Sequence, residues 1–310
     1  MKPEILVIAG PTASGKSDLA LELARRLDGE IVNADSMQVY RGMDIGTAKP
    51  TPQQRDEIPH HLIDVADPDQ SFSAAAFAGA ADTAIRSIIS RGKRVIVTGG
   101  TGLYIRALLK GLVDYPADAS GLIRQELHAE ARERGNGAMR EELRQVDPES
   151  ADRIHPHNMV RIIRALEVYR TTGVPLSRYQ QEHGFSDQRY RSLQFGIRVE
   201  RQQLYDRIDG RVNRMLEQGL LQEVQRLLNA GYNPGAKAML AIGYKEMAAY
   251  LAGEYSLEEA TRLIKRNTRH YAKRQLTWFN ADKDILWLEY PAEFDTIFRH
   301  AIEFFDQREI

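Results

Sequence analysis

The stretch Ile5-Leu6-Val7-Ile8-Ala9, running straight into Gly10-Pro11-Thr12-Ala13-Ser14-Gly15-Lys16-Ser17, decides the fold. The five apolar residues read as a short buried strand. Behind the glycines, Leu19, Ala20, Leu23, Ala24 and Leu27 recur at helical spacing and mark one face of a helix. Between strand and helix, Gly-x4-Gly-Lys-Ser is the phosphate-loop pattern. Its glycines let backbone N–H groups converge on phosphate oxygens, Lys16 supplies a point charge, and Ser17 supplies a hydroxyl for Mg2+. A polyphosphate site is expected here.

Working outward, Glu30-Ile31-Val32-Asn33 forms a second strand candidate that ends at Ala34-Asp35-Ser36. A helix is expected between Ser73 and Ser90. It feeds a third strand, Arg94-Val95-Ile96-Val97-Thr98, which ends in Gly99-Gly100-Thr101-Gly102. Continuous apolar strands alternating with helices predict a parallel sheet covered on both faces. The segment after Tyr115-Pro116 carries little strand signal, and from Arg124 to Arg191 its basic residues are twelve arginines against eleven acids. Alternation at Leu193, Phe195, Ile197 and Val199 predicts a half-buried strand. Long helices then run to about Phe279, and Ile285-Leu286-Trp287-Leu288 is a last strand candidate. The expected architecture is an α/β phosphate-loop core with a parallel sheet (1–115 and 192–310), interrupted by a helical insertion domain (116–191).

The chain has 310 residues, 42 basic and 43 acidic, and no cysteine. Disulfides, thiolate metal sites and cysteine nucleophiles are excluded, and overall charge does not advertise nucleic acid. Met1-Lys2-Pro3-Glu4 and the five-residue apolar run behind it are too short for a signal-peptide core. No run approaches the ~20 apolar residues a membrane span needs. A cytoplasmic protein with no membrane association is expected. Charge is locally uneven, however. Arg262, Lys265, Arg266, Arg269, Lys273 and Arg274 meet no acid between Thr261 and Arg274, and such a stripe can form a footprint for phosphates.

A nucleotide hydrolase needs an acidic residue at the end of a second apolar strand. Here that strand ends in Thr98-Gly99-Gly100, and Asp64 is a weak substitute, so the loop points to a transferase whose leaving group is a phosphate chain. Asp35 lies at a carboxyl-terminal strand end, where an open α/β sheet lines its crevice. It reads either as a turn or cap residue or as a general base. Beside it, Gln38 has the chemistry to read a base edge and Lys49 to hold a phosphate. His155-Pro156-His157 reads as a helix-start loop rather than a metal site. Tyr271, Trp278 and Phe279 read as helix packing, with base stacking as the alternative.

The stretches GPTASGKS (10–17), DSMQVYRGMDIGTAKP (35–50), GGTGLY (99–104), RALEV (164–168), RVNRML (211–216), AIGYKEM (241–247) and TRHYAKRQLTWF (268–279) resemble the tRNA dimethylallyltransferases of bacterial type, in order and over nearly the whole chain. That family prenylates N6 of the adenine next to the anticodon. The zinc-finger extension of its eukaryotic members is not expected in a chain without cysteine.

The resemblance implies that Gly10, Pro11, Thr12, Ala13, Ser14, Gly15, Lys16 and Ser17 bind the diphosphate of dimethylallyl diphosphate. Ser17, where the family usually has Thr, keeps the hydroxyl for Mg2+. Asp35 matches the base for the adenine N6, Thr101 a residue reaching the diphosphate, and Arg214 a cation on the departing diphosphate. Recognition of tRNA is assigned to Asp35, Ser36, Met37 and Gln38, to Thr101 and Arg124, to Val160, Arg161, Ile162, Ile163 and Arg164, and to Leu240, Ala241, Ile242, Gly243, Tyr244 and Lys245. The chemistry agrees: an exocyclic amine is a weak nucleophile, so neutralising the leaving group is the main task, and the adenine must be flipped out of its stack. A monomer acting on the anticodon stem-loop is expected. The readings weighed against this one are a small-molecule kinase or nucleotide hydrolase, an isopentenyltransferase acting on free adenylate, and a non-catalytic RNA-binding module.

Overall fold

A computed structural model of the chain describes residues 2–112, 121–183 and 188–306. It divides into two compact units, Met1–Leu109 with Arg189–Ile310, and Lys110–Gln188. The boundary expected at Tyr115-Pro116 lies outside the described residues.

The first unit opens with β1 (Glu4–Ala9), α1 (Lys16–Leu27), β2 (Gly29–Asn33), α2 (Pro52–Glu57), β3 (His60–His61), α3 (Ala74–Ser90), β4 (Arg94–Gly99) and α4 (Gly102–Lys110). The second unit is helical: α5 (Leu122–Val146), α6 (Pro148–Arg153), α7 (Met159–Thr172) and α8 (Leu176–His183). The chain then completes the first unit with β5 (Arg191–Arg198), α9 (Arg201–Glu217), α10 (Leu220–Asn229), α11 (Tyr244–Leu251), α12 (Leu257–Phe279), β6 (Ile285–Glu289) and α13 (Phe294–Asp306). The six strands form one parallel sheet in the order β3-β2-β4-β1-β5-β6.

Both faces of the sheet are covered, as the unbroken apolar runs require. On one face Val7, Val32 and Val97 pack with Phe77 and Ile85 of α3 and Tyr104 and Leu108 of α4. On the other, Leu6, Ile8, Ile31 and Ile96 pack with Leu19 and Leu23 of α1 and Ile297 and Phe305 of α13. A third cluster joins Val39, Tyr40 and Met43 to Val212, Leu220, Val224 and Tyr244, so the long loop after β2 sits on α9, α10 and α11.

One expectation is corrected. β5 is not half-buried: it pairs with β1 and with β6, and Gln194, Phe195, Gly196 and Ile197 are all buried. The apparent alternation arises because Gly196 is a packing position. A Cβ there would come within 2.7 Å of the Trp287 ring.

The helical unit has its own core of Leu127, Met139, Leu143, Ile162, Ile163 and Leu166. Its longest helix, α5, breaks at Gly135, whose φ is 75°. The buried Asp147 carboxylate accepts the amides of Ser150 and Ser177, both at 3.0 Å, and so caps α6 and fixes the start of α8. No helix among the described residues is long and apolar enough to cross a membrane.

Candidate active site

The phosphate loop is built by backbone conformation. Gly15 has φ 97°, and even Ala13 sits at φ 63°, a left-handed conformation uncommon outside glycine. Lys16 folds back over the loop and donates to the Pro11 carbonyl at 3.2 Å. Burial lowers its pKa to about 8; the Arg211 guanidinium adds to the shift and Asp35 opposes it. The Ser14 hydroxyl is buried with no partner. The Thr12 amide, by contrast, is already used: it donates to Gln275 Oε1 at 2.9 Å. Gln275 in turn donates to the Gly100 carbonyl at 2.9 Å, tying the loop to the end of β4.

The loops after β2 and β4 are held together at close quarters. A Cβ on Gly99 would come within 2.1 Å of the Ala34 carbonyl oxygen. The Thr101 amide donates to that same oxygen, and its hydroxyl accepts from the Ser36 amide at 2.9 Å and donates to the Ser36 hydroxyl at 3.2 Å. Asp35 closes a turn, its Oδ1 accepting from the amides of Met37 at 2.8 Å and Gln38 at 3.4 Å. The turn role weighed for Asp35 is therefore real, and it leaves Oδ2 for other work.

Two cavities meet at these loops, of about 820 Å³ and about 390 Å³. Lys16, Ser17, Asn33, Gln38, Thr98 and Arg211 line both, and so form the throat between them. Arg214 faces the larger cavity and Asp35 the smaller. Thr101 lines neither; it fastens the Asp35 loop from behind, through Ser36.

Sequence reading missed three groups here. Arg207 and Arg211 join Arg214 on one face of α9, at the i, i+4, i+7 spacing that would have found them. Arg207 reaches the Ser14 carbonyl at 3.5 Å and Arg211 the Thr47 carbonyl at 3.5 Å. Burial weakens the hold of Arg211 on its proton, Asp35 restores part of it, and Arg214 opposes. The third group, Gln275, carries no local signal at all.

Several expected contacts take other roles. Lys49 is not a free phosphate ligand: its buried ammonium donates to the Tyr40 carbonyl (2.8 Å), Asp44 (2.5 Å) and Asp64 (2.6 Å). Gln38 is buried and its amide donates to the Thr47 and Ala48 carbonyls, at 3.0 and 3.2 Å. In the segment Leu240–Lys245, Leu240 and Lys245 are exposed, whereas Tyr244 is buried with its hydroxyl on Glu223. All six residues nonetheless line the smaller cavity. On α12, Arg262 pairs with Glu259 and Arg269 with Asp209. Tyr271 and Arg274 line the smaller cavity, Phe279 is core, and Trp278 packs over Gly102.

Within the helical unit, Val160 and Arg161 are exposed at the start of α7. Ile162 and Ile163 are in its core, so their side chains cannot reach an RNA. Arg124 and Arg164 both grip the buried Glu167, at 2.8 and 2.7 Å. His155 and His157 have ring centres 5.4 Å apart, and no cluster able to hold a metal by itself occurs among the described residues.

The family model described as IPP transferase matches residues 38–282. The tRNA dimethylallyltransferase 1 of Pelobacter propionicus is 67% identical over 98% of both chains, and the tRNA dimethylallyltransferase of Geobacter sulfurreducens 57% identical over 98% of this chain and 97% of its own. Among solved structures, the full-length tRNA isopentenylpyrophosphate transferase of Bacillus halodurans aligns with TM-score 0.73 at 41% identity, covering 99% of this chain and 98% of the other. A eukaryotic dimethylallyltransferase acting on tRNA aligns with TM-score 0.81 at 30% identity, covering 99% and 80%. With a phosphate loop, a strand-end carboxylate and an arginine face on two cavities that share one throat, this chain belongs to the IPP transferase family, the tRNA dimethylallyltransferases.

Proposed function

We propose that the enzyme transfers a dimethylallyl group from dimethylallyl diphosphate to N6 of the adenine 3′ of the anticodon, position 37, in tRNAs reading codons that begin with U. Diphosphate is released. The observation that carries this reading is the throat, with cationic and hydroxyl groups shared by two cavities, Asp35 in one and Arg214 in the other.

The donor occupies the larger cavity, its diphosphate on the amides of residues 13–17 with Lys16, Arg207, Arg211 and Arg214 around it. The flipped adenine enters the smaller cavity, against Asp35, Gln38 and the Leu240–Lys245 segment. The C–O bond of the allylic diphosphate breaks as N6 forms its bond to carbon, and the N6 proton passes to Asp35 Oδ2. The electron pair of the broken bond leaves on the diphosphate, where the arginines meet it.

Mg2+ is the proposed cofactor, and the residues suit it. Ser17 stands at the start of α1, and the unpartnered Ser14 hydroxyl lies in the same loop. An ion that keeps several waters and takes its other ligands from a diphosphate needs little more from the protein. When bound it would neutralise charge on the leaving group.

Asp64, the weak substitute for the acid a nucleotide hydrolase needs, is held by Lys49 and Arg55, which favours prenyl transfer over hydrolysis. The arginines of the helical unit and of α12 are proposed to hold the RNA backbone, and the enzyme to act as a cytoplasmic monomer. The test is incubation with Mg2+, dimethylallyl diphosphate and an anticodon stem-loop containing three adenines, with AMP and ATP in parallel, read by mass spectrometry. A five-carbon increment on the RNA alone is expected. An increment on AMP alone, or consumption of ATP without transfer, overturns the proposal.

A further inference from the structure

β2 and β4 change character together. On the α1 face, Ile31 is followed two residues on by Asn33, and Ile96 by Thr98, and register pairs Asn33 with Thr98. The apolar face thus ends in two polar side chains at the level of the phosphate loop, and both line the throat. Thr98 is satisfied, its hydroxyl donating to the Ile8 carbonyl at 3.3 Å. Asn33 is not. It is 5% exposed, and its Nδ2 has no hydrogen-bond partner. A buried amide donor without a partner is a standing cost that a valine or leucine at the end of this strand would avoid.

Only three buried side-chain atoms among the described residues are unpartnered: Arg140 Nε in the helical unit, Ser14 Oγ and Asn33 Nδ2. The last two line the same cavity. The groups around Asn33 decide what its partner is. Lys16, Ser17 and Arg211 line the throat with it. A place furnished with an ammonium, a guanidinium, a hydroxyl and a free N–H suits an oxyanion rather than a second donor.

We propose that Asn33 Nδ2 donates a hydrogen bond to the donor's diphosphate, at an oxygen next to the C–O bond that breaks. This rests on the prenyl-transfer reading and adds a neutral donor to the leaving-group machinery. Because it sits at the throat, it meets the oxygen on which charge grows as the bond opens. Its effect therefore falls on kcat as well as on diphosphate affinity.

The experiment is calorimetric titration of inorganic diphosphate, with Mg2+, into the wild-type protein, Asn33→Ala and Asn33→Asp. Stem-loop affinity, kcat and thermal melting are measured alongside. Asn33→Asp keeps the size and sets a carboxylate against the anion, so it separates a direct contact from a packing role. Diphosphate affinity is expected to fall about tenfold in Asn33→Ala, one hydrogen bond's worth, and further in Asn33→Asp. Stem-loop affinity should stay within twofold, and kcat should fall ~100-fold. If Asn33→Ala does not fold, Asn33→Ser, which keeps a donor, replaces it and should lose less than Asn33→Asp. Diphosphate affinity unchanged in Asn33→Asp overturns the proposal, and so does a loss confined to the stem-loop, which would assign the amide to the base. If the wild-type protein fails to prenylate RNA while Asn33→Asp still loses diphosphate, the functional reading falls and the anion contact stands.

Discussion

The Tyr244 hydroxyl donates to Glu223 Oε1 over 2.6 Å, with both side chains buried. The same carboxylate accepts the amides of Asp44 (3.0 Å), Ile45 (2.9 Å) and Gly46 (3.1 Å), so one acid holds the loop that walls the smaller cavity. Burial, with Glu223 beside it, holds the Tyr244 phenol well above its usual pKa. Gly46 packs against the ring, where a Cβ would come within 2.5 Å.

Removing that carboxylate strands three amides of a half-buried loop. Glu223→Ala should lower stability by about 3 kcal/mol, and Tyr244→Phe by about 1 kcal/mol. Urea unfolding measures both. The loss in Glu223→Ala should be accompanied by weaker stem-loop binding, since the released loop carries Thr47 and Ala48, which hold Gln38. Equal stabilities for wild type and Glu223→Ala would show that the loop stands without it.

Asp35 carries two functions on two oxygens, and two substitutions separate them. Asp35→Asn keeps an oxygen that can close the turn to Met37 but cannot take a proton. Its turnover should fall by ~100-fold or more with stem-loop affinity close to wild type. Asp35→Ala should abolish turnover and also loosen the Ser36–Gln38 turn. Steady-state kinetics with a binding titration checks both. Turnover preserved in Asp35→Asn would remove Asp35 as the base.

Lys16 sets a pH limit on diphosphate binding. With its pKa lowered to about 8, the ammonium is present below that pH and lost above it. An anion prefers the charged form and raises the pKa when it binds. Affinity for inorganic diphosphate should therefore be highest below pH 8 and decline as pH rises through it, with proton uptake on binding near that pH. Titrations in buffers of different ionisation enthalpy measure the uptake. In Lys16→Ala affinity should be weak, and this proton uptake should vanish.

Gly99 tolerates no side chain. Gly99→Ala would drive a Cβ into the Ala34 carbonyl, a backbone atom that cannot turn away. The expected loss is about 3 kcal/mol or more, together with loss of activity as β2 and β4 separate at the Asp35 loop. Gly92→Ala is the control. It has φ 74° but open space around it, so it should cost only about 1 kcal/mol.

Much of the fold was legible because it is local. The apolar runs of β1 and β4, the glycines of the phosphate loop and the helical spacing of α1 each state their conformation within a dozen residues. Asp35 was visible as a carboxylate at a strand end. β5 misled because Gly196 mimics a solvent-facing position while it packs under Trp287. Lys49 misled for the opposite reason: nothing near it in sequence reveals that Asp64 closes on it.

The sequence by itself determined that this chain winds a parallel sheet around a phosphate loop and carries a basic and acidic chemistry suited to group transfer. Periodicity and glycine placement encode those features residue by residue. Tertiary structure alone decided which charges stay free. Lys49, Arg124 and Arg269 are taken up by carboxylates brought from 15, 43 and 60 residues away, while Arg207, Arg211 and Arg214 are left facing the larger cavity. A side chain's chemistry is written at its own position, but its availability depends on what the folded chain packs against it.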